Sequence, residues 1–139
     1  MCKILVVDND ERTLDEACEV LEDEGFHDLI CATSGTEAFQ KIMEYMDDIK
    51  LILLQSTLPD FSGLDLCKQV SCKLKNTVII LYSGNLDSPV LEFTALSVGA
   101  KAWVKKDDIL KRGKLSHVVD YWFNLTHAIC AYEEQYVCG

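Results

Sequence analysis

A doubly wound α/β fold built on a five-stranded parallel sheet is predicted by three features of this 139-residue chain. Short apolar runs alternate with stretches whose apolar residues recur at helical spacing. The connections between them are short, so a parallel sheet covered on both faces through right-handed crossovers accommodates the order. Polar residues follow the apolar runs at corresponding ends, which is where an open α/β sheet places its functional groups. The architecture expected is of the flavodoxin-like type.

The elements follow in order. Lys3-Ile4-Leu5-Val6-Val7 is a β-branched-rich apolar run bounded by acids and reads as the first strand. Leu14, Ala17, Cys18 and Leu21 then share one helical face until Gly25 supplies a stop. Leu29-Ile30-Cys31-Ala32 gives a short second strand, Ser34-Gly35-Thr36 a helix start, and Ala38, Ile42 and Met46 the buried face of the second helix. The third strand, Leu51-Ile52-Leu53-Leu54, delivers Gln55 to the carboxyl edge of the sheet and leads through Pro59 and Gly63 into a helix carrying Leu64, Cys67 and Val70. Val78-Ile79-Ile80-Leu81-Tyr82 is the fourth strand, ending at Ser83-Gly84. A helix from about residue 88 to 98 follows, with Gly99 at the position that tolerates positive φ. Ala102-Trp103-Val104 is the fifth strand and runs into Lys105-Lys106-Asp107.

Bulk composition narrows the function classes. The length suits one globular domain, and 49% apolar residues supply a core. A formal net charge of −10 opposes contact with nucleic acid or anionic lipid. Lys101, Lys105, Lys106, Lys111, Arg112 and Lys114 form a local basic cluster that reads as solvated turn and helix-end charge. No run of about 18 apolar residues suggests a membrane span, and the first residues do not read as a signal peptide, so a cytoplasmic protein is expected. The seven cysteines contain no C-x-x-C pair, and His27, His117 and His127 do not fall at metal-ligand spacing. Cys18 and Cys67 occupy apolar helix positions and are expected to act as small core residues; Cys130 and Cys138, near the end, could present exposed thiols.

The polar residues at the strand ends are Asp8, Asn9, Asp10, Gln55, Ser83 and Lys106. In their setting, the chain closely resembles the receiver domain of two-component response regulators, over about residues 2 to 124. The segment Gln55-Ser56-Thr57-Leu58-Pro59-Asp60-Phe61-Ser62-Gly63 keeps the family's proline and glycine spacing after the third strand, but the nucleophilic aspartate is replaced by Gln55. The resemblance implies the (βα)5 receiver fold and a role for each matching position. Asp8 takes the first acidic position after strand one, and Asn9 replaces the second, usually a direct metal ligand. Thr57 would offer its backbone carbonyl. Ser83 matches the hydroxyl that contacts the phosphoryl group, Trp103 the aromatic that reorients with it, and Lys106 the motif's lysine.

The replacements bear directly on chemistry. A carboxylate can attack a phosphoryl group to form an acyl phosphate, whereas a carboxamide is a poor nucleophile and brings no charge to a metal. Magnesium requires an oxygen shell with one or two carboxylates, and losing charge at 9 and 55 leaves Asp8 and Asp10, with the Thr57 carbonyl, for a weak or absent site. No catalytic residue and no required cofactor are expected. Other readings of the surviving residues stand beside these. Lys106 can pair with Asp8 or Asp10 to neutralise the acidic cluster, Trp103 can serve as a half-buried cover for the sheet edge, and Ser83 can be a turn residue with Asn85 and Asp87 as competing caps.

Val118, Trp122, Leu125, Ile129 and Tyr132 form an apolar stripe that continues the last helix beyond the sheet, so residues 125–139 read as a C-terminal helical extension of the domain at 2–124. Such a stripe can pack on its own domain, pair with a second copy to form a homodimer, or meet a partner helix. Three functions follow. The first is a pseudo-receiver acting by phosphorylation-independent protein contact, with a histidine kinase, phosphotransfer protein or output protein as partner. The second is a phosphorelay receiver using Asp60, Asp8 or Asp10 as substitute acceptor. The third is a thiol-based redox sensor using the terminal cysteines.

Overall fold

The computed structural model describes residues 3–74, 76–84, 89–107 and 117. Among the described residues five strands and four helices alternate: β1 (Lys3–Val7), α1 (Glu11–Asp23), β2 (Leu29–Ala32), α2 (Gly35–Glu44), β3 (Ile49–Gln55), α3 (Gly63–Ser71), β4 (Val78–Ser83), α4 (Pro89–Ser97) and β5 (Ala102–Lys105). All strand pairs are parallel, in the order β2-β1-β3-β4-β5. The strand order reverses beside β1. The carboxyl ends of β1 and β3 therefore flank the crevice in which doubly wound sheets place their sites. The doubly wound α/β expectation of the flavodoxin-like type is met, and each strand lies where the apolar runs put it, with β3 starting two residues earlier, at Ile49.

Alternation along the strands splits the core into two layers. Leu5, Val7, Ile52, Leu54, Ile79 and Leu81 join Ala38, Ile42, Leu66, Cys67, Val70 and Ala95 of α2, α3 and α4. Ile4, Val6, Leu51, Leu53, Ile80 and Tyr82 face the other way and meet Leu14, Ala17, Val20 and Leu21 of α1. Strands buried on both faces must be apolar throughout, which is why they read as continuous runs.

Local chemistry fixes the helix starts. Asp10, Ser34 and Ser62 are extended N-cap residues whose side chains accept from the backbone N–H groups of Arg12, Glu37 and Leu64. Gly63 is required by proximity: a Cβ there would fall 2.1 Å from the Gln55 carbonyl oxygen. The missing side chain lets the start of α3 press against the end of β3, where the Gly63 N–H donates to Ser56 O at 2.8 Å. Gly99 has φ +110° after α4, as its place in the sequence suggested.

The apolar stripe from Val118 to Tyr132, and the roles expected of Asn85, Asp87, Lys111, Arg112, Lys114, His127, Cys130 and Cys138, fall outside the described residues.

Candidate functional site

Asp8 is the centre of the site, and it is completely buried. A buried carboxyl group is costly without hydrogen-bond partners, so those partners decide its chemistry. Oδ2 accepts the Tyr82 hydroxyl at 2.7 Å and lies 3.7 Å from the Lys106 ammonium. Oδ1 accepts the Asp10 backbone N–H at 2.9 Å. The Tyr82 hydroxyl also lies 3.1 Å from Val7 O, so one proton serves two buried acceptors across the sheet. Burial, reinforced by the Asp8 charge, pushes the Tyr82 hydroxyl above its ordinary pKa.

Gln55, the last residue of β3, completes the arrangement. We assign its amide with the nitrogen turned inward, because that orientation alone matches donors to acceptors. The nitrogen then donates to Asp8 Oδ1 and Asn9 Oδ1, both at 2.7 Å, and approaches Thr57 O at 3.3 Å. Three oxygens on two loops thus converge on a single NH2 group. A carboxylate at 55 would offer them no proton.

These same oxygens are the ones a divalent cation would need, and as arranged they do not fit magnesium. Of the three, one belongs to a carboxylate, and its second oxygen is already engaged by a hydroxyl and an ammonium. The Gln55 nitrogen lies between them, whereas magnesium requires octahedral oxygen coordination at about 2.1 Å. Among the described residues no group of three His, Cys, Asp or Glu side chains is placed to hold a metal ion.

The site brings Asp8, Asn9, Gln55, Lys106 and the Thr57 carbonyl together and directs Asp10 elsewhere. The Asp10 carboxylate caps α1, taking the Thr13 hydroxyl at 2.9 Å and the Arg12 N–H at 3.1 Å. The Thr13 bond, with the Arg12 N–H and the Lys106 charge in support, holds its carboxyl below the usual range. Asp10 therefore serves helix α1 in place of the ligand role considered for it. Ser83 ends β4 in register with Lys105. Trp103 is half-buried against the core layer of α2, α3 and α4. Its indole N–H is buried with no acceptor among the described residues, so packing holds the ring.

Asp60 has a role that sequence spacing did not reveal. Its Oδ1 accepts the N–H groups of Gly35 at 2.8 Å and Phe61 at 3.1 Å. Its Oδ2 accepts the Thr36 N–H at 2.8 Å and the Thr36 hydroxyl at 2.6 Å. The carboxylate thereby sits on the N-terminus of α2, where the helix dipole favours negative charge. The Thr36 hydroxyl, then the backbone N–H groups, hold it well below the usual carboxylate range. Asp60→Ala is expected to lower the melting temperature and to speed amide exchange at the start of α2. Because the native pKa is lowered, this contribution is present above the unfolded carboxylate pKa of about 3.9 and is lost as pH falls through the native value. Equal melting of wild type and Asp60→Ala at pH 7 would contradict it.

Of the two helix cysteines expected in the core, one departs from expectation in part. Cys67 is buried and packs in the core as its helix position implied. Cys18 does not behave as a core residue alone: it is half-buried, and its sulfur lies 3.2 Å from that of Cys31 on β2.

Comparison with known proteins agrees with this fold. The family model for the response regulator receiver domain matches residues 4–119, and the chain belongs to that family. Among solved structures, the CheY-like receiver domain protein from Methanospirillum hungatei JF-1 is 24% identical, with a TM-score of 0.81 over 92% of this chain and 98% of that one. The receiver domain protein from Clostridium thermocellum is 22% identical, with a TM-score of 0.82 over 93% and 99%. The CheX–CheY–BeF3–Mg2+ complex from Borrelia burgdorferi contributes a chain 24% identical, with a TM-score of 0.72 over 84% and 87%. At these identities the likeness is one of fold. Among the described residues no helix is long and apolar enough to cross a membrane.

Proposed function

We propose that this receiver is a pseudo-receiver: a cytoplasmic, non-enzymatic module that acts by protein contact without phosphorylation and without a required metal. The observation that carries the reading is the Gln55 nitrogen, 2.7 Å from both Asp8 Oδ1 and Asn9 Oδ1, at the position from which an aspartate would attack. The pocket is closed by its own hydrogen bonds, so its acceptors are satisfied in the absence of any ligand. The alternative of a substitute acceptor is poorly supported by the side chains available. Asp8 is fully buried, Asp10 caps α1, and Asp60 is engaged at α2. None is presented for the in-line attack that phosphoryl transfer requires.

An apolar patch supports the contact role. Phe93 and Leu96 on α4 are 74% and 47% exposed, a substantial apolar exposure beside β5. A histidine kinase, a phosphotransfer protein or an output protein would meet such a surface through apolar side chains. The Borrelia burgdorferi CheY in the comparison is in a complex with another protein, CheX, formed there with BeF3 and Mg2+. A contact through this face needs only the fold.

Incubation with acetyl phosphate and magnesium, read by intact mass, tests the reading. The expected result is an unchanged mass under conditions that label ordinary receivers. A stoichiometric gain of one phosphoryl group would overturn it, and mapping that group to Asp60, Asp8 or Asp10 would establish the alternative.

A further inference from the structure

We propose that Cys18 and Cys31 form a reversible dithiol/disulfide site, oxidised by a small neutral peroxide and reduced by an external dithiol. The site is separate from the Gln55 pocket and does not depend on the pseudo-receiver reading. It joins the middle of α1 to β2, the strand at the edge of the sheet.

Geometry is the main support. The two sulfurs are 3.2 Å apart, against about 2.05 Å in a disulfide, so little more than side-chain adjustment separates the pair from bond formation. Both partners are held by regular structure: Cys18 projects from α1 and Cys31 lies beside Val6 in the β2–β1 register. Accessibility assigns the order of events. Cys31 is exposed and Cys18 half-buried, which makes Cys31 the sulfur that meets an oxidant and Cys18 the one that resolves it. The Cys18 thiol hydrogen-bonds to Cys31 and holds the Cys31 pKa below its usual range, while the same contact and burial raise that of Cys18.

The surroundings select the oxidant. Asp15, Glu22 and Glu37 place negative charge around the pair. They repel anionic thiols and disulfides such as glutathione, but leave an uncharged peroxide unaffected. With hydrogen peroxide, the Cys31 thiolate attacks one oxygen, an S–O bond forms and the O–O bond breaks. The departing hydroxide takes up a proton as water, leaving Cys31 as a sulfenic acid. Cys18 then loses its proton and attacks the Cys31 sulfur; the S–S bond forms, the S–O bond breaks and a second water leaves. Two thiols lose two electrons and one peroxide becomes two waters. A dithiol reverses the change by thiol–disulfide exchange.

The sequence provides a direct readout. Cleavage after Arg12 and Lys41 releases a fragment from Thr13 to Lys41 that holds Cys18 and Cys31 and no other cysteine. The reduced full chain is treated with hydrogen peroxide, its remaining thiols are alkylated, and the fragments are weighed. The expected result is a Thr13–Lys41 fragment lighter by two hydrogens and unalkylated while Cys72, an exposed control on the end of α3, still takes label. Dithiothreitol should restore both thiols. In Cys18→Ser, Cys31 should instead be trapped as its sulfenic acid by dimedone, and Cys72→Ser should leave the shift unchanged. The proposal is overturned if the wild-type fragment stays fully alkylated when Cys72 has been oxidised, or if Cys31 gains oxygen without forming the bond to Cys18. These wild-type outcomes hold whether or not a serine variant folds.

Discussion

Gln55→Asp is expected to melt at a lower temperature than the wild type near pH 8 in the absence of magnesium, and to recover when the ion is added. The change removes the NH2 group that serves Asp8 Oδ1 and Asn9 Oδ1 at 2.7 Å and puts a second carboxylate against a buried one. Breaking such an arrangement is worth about 3 kcal/mol, even with Lys106 remaining 3.7 Å from Asp8. The cost depends on pH with a definite sign. Two adjacent carboxylates cannot both ionise freely, so the variant's native pair has a raised pKa. The penalty is absent below the unfolded pKa of about 4 and grows as pH rises toward the native value. Magnesium would join the two carboxylates and relieve their repulsion, so the variant's melting temperature should climb with millimolar ion while that of the wild type stays level. A variant as stable as the wild type at pH 8 without magnesium would show that the Gln55 nitrogen is not what holds the pocket together. Adding Asn9→Asp should increase both the instability and the rescue, because it restores a further acid.

Tyr82→Phe should cost about 1–3 kcal/mol in the urea midpoint, the penalty for leaving buried acceptors short of a donor. The hydroxyl serves both Asp8 Oδ2 at 2.7 Å and Val7 O at 3.1 Å, and the ring is fully buried, so water cannot replace it without opening the core. A pH signature separates this from ring packing. The native hydroxyl titrates above its ordinary value, so the unfolded chain releases that proton first and wild-type stability falls as pH rises beyond about 10. The phenylalanine variant should lose that part of the alkaline decline. A change within about 0.5 kcal/mol would place the hydroxyl among contacts of no energetic consequence.

What was legible in the sequence was local in origin. β1 and β4 announced themselves because strands covered on both faces hold unbroken apolar runs, Ile4 to Val7 and Val78 to Tyr82, and β2 through the short apolar run Leu29 to Ala32 at the sheet edge. Gly63 and Pro59 marked the turn after β3, and the placement of Gln55, Asn9 and Lys106 followed from counting along those loops. The hidden features are side-chain meetings between distant segments. Tyr82 lies 74 residues from Asp8 and looked like one more apolar strand position. Asp60 lies 25 residues from Gly35 and looked like a turn acid. Cys18 fell on an apolar helix face, and helical spacing carries no information about a sulfur on the neighbouring strand. Periodicity determines which way a side chain points, whereas its partner depends on strand order and register. The order β2-β1-β3-β4-β5 puts β3 between Tyr82 and Asp8, a separation that a long phenol can bridge and an aliphatic side chain cannot.

The Gln55 nitrogen also bears on what the cell can and cannot tell this domain. A diffusible ligand shifts a conformational equilibrium in proportion to its concentration and its preference for one state. A donor tethered to β3 has no concentration to vary. On the pseudo-receiver reading proposed above, Asp8, Asn9 and Thr57 would meet it at constant occupancy, whatever the magnesium level or the supply of phosphoryl donors. On that reading a change in the population of conformers would enter from outside the pocket, through whatever touches the surface. The domain would then be a listener to its partners in place of a meter of its solutes.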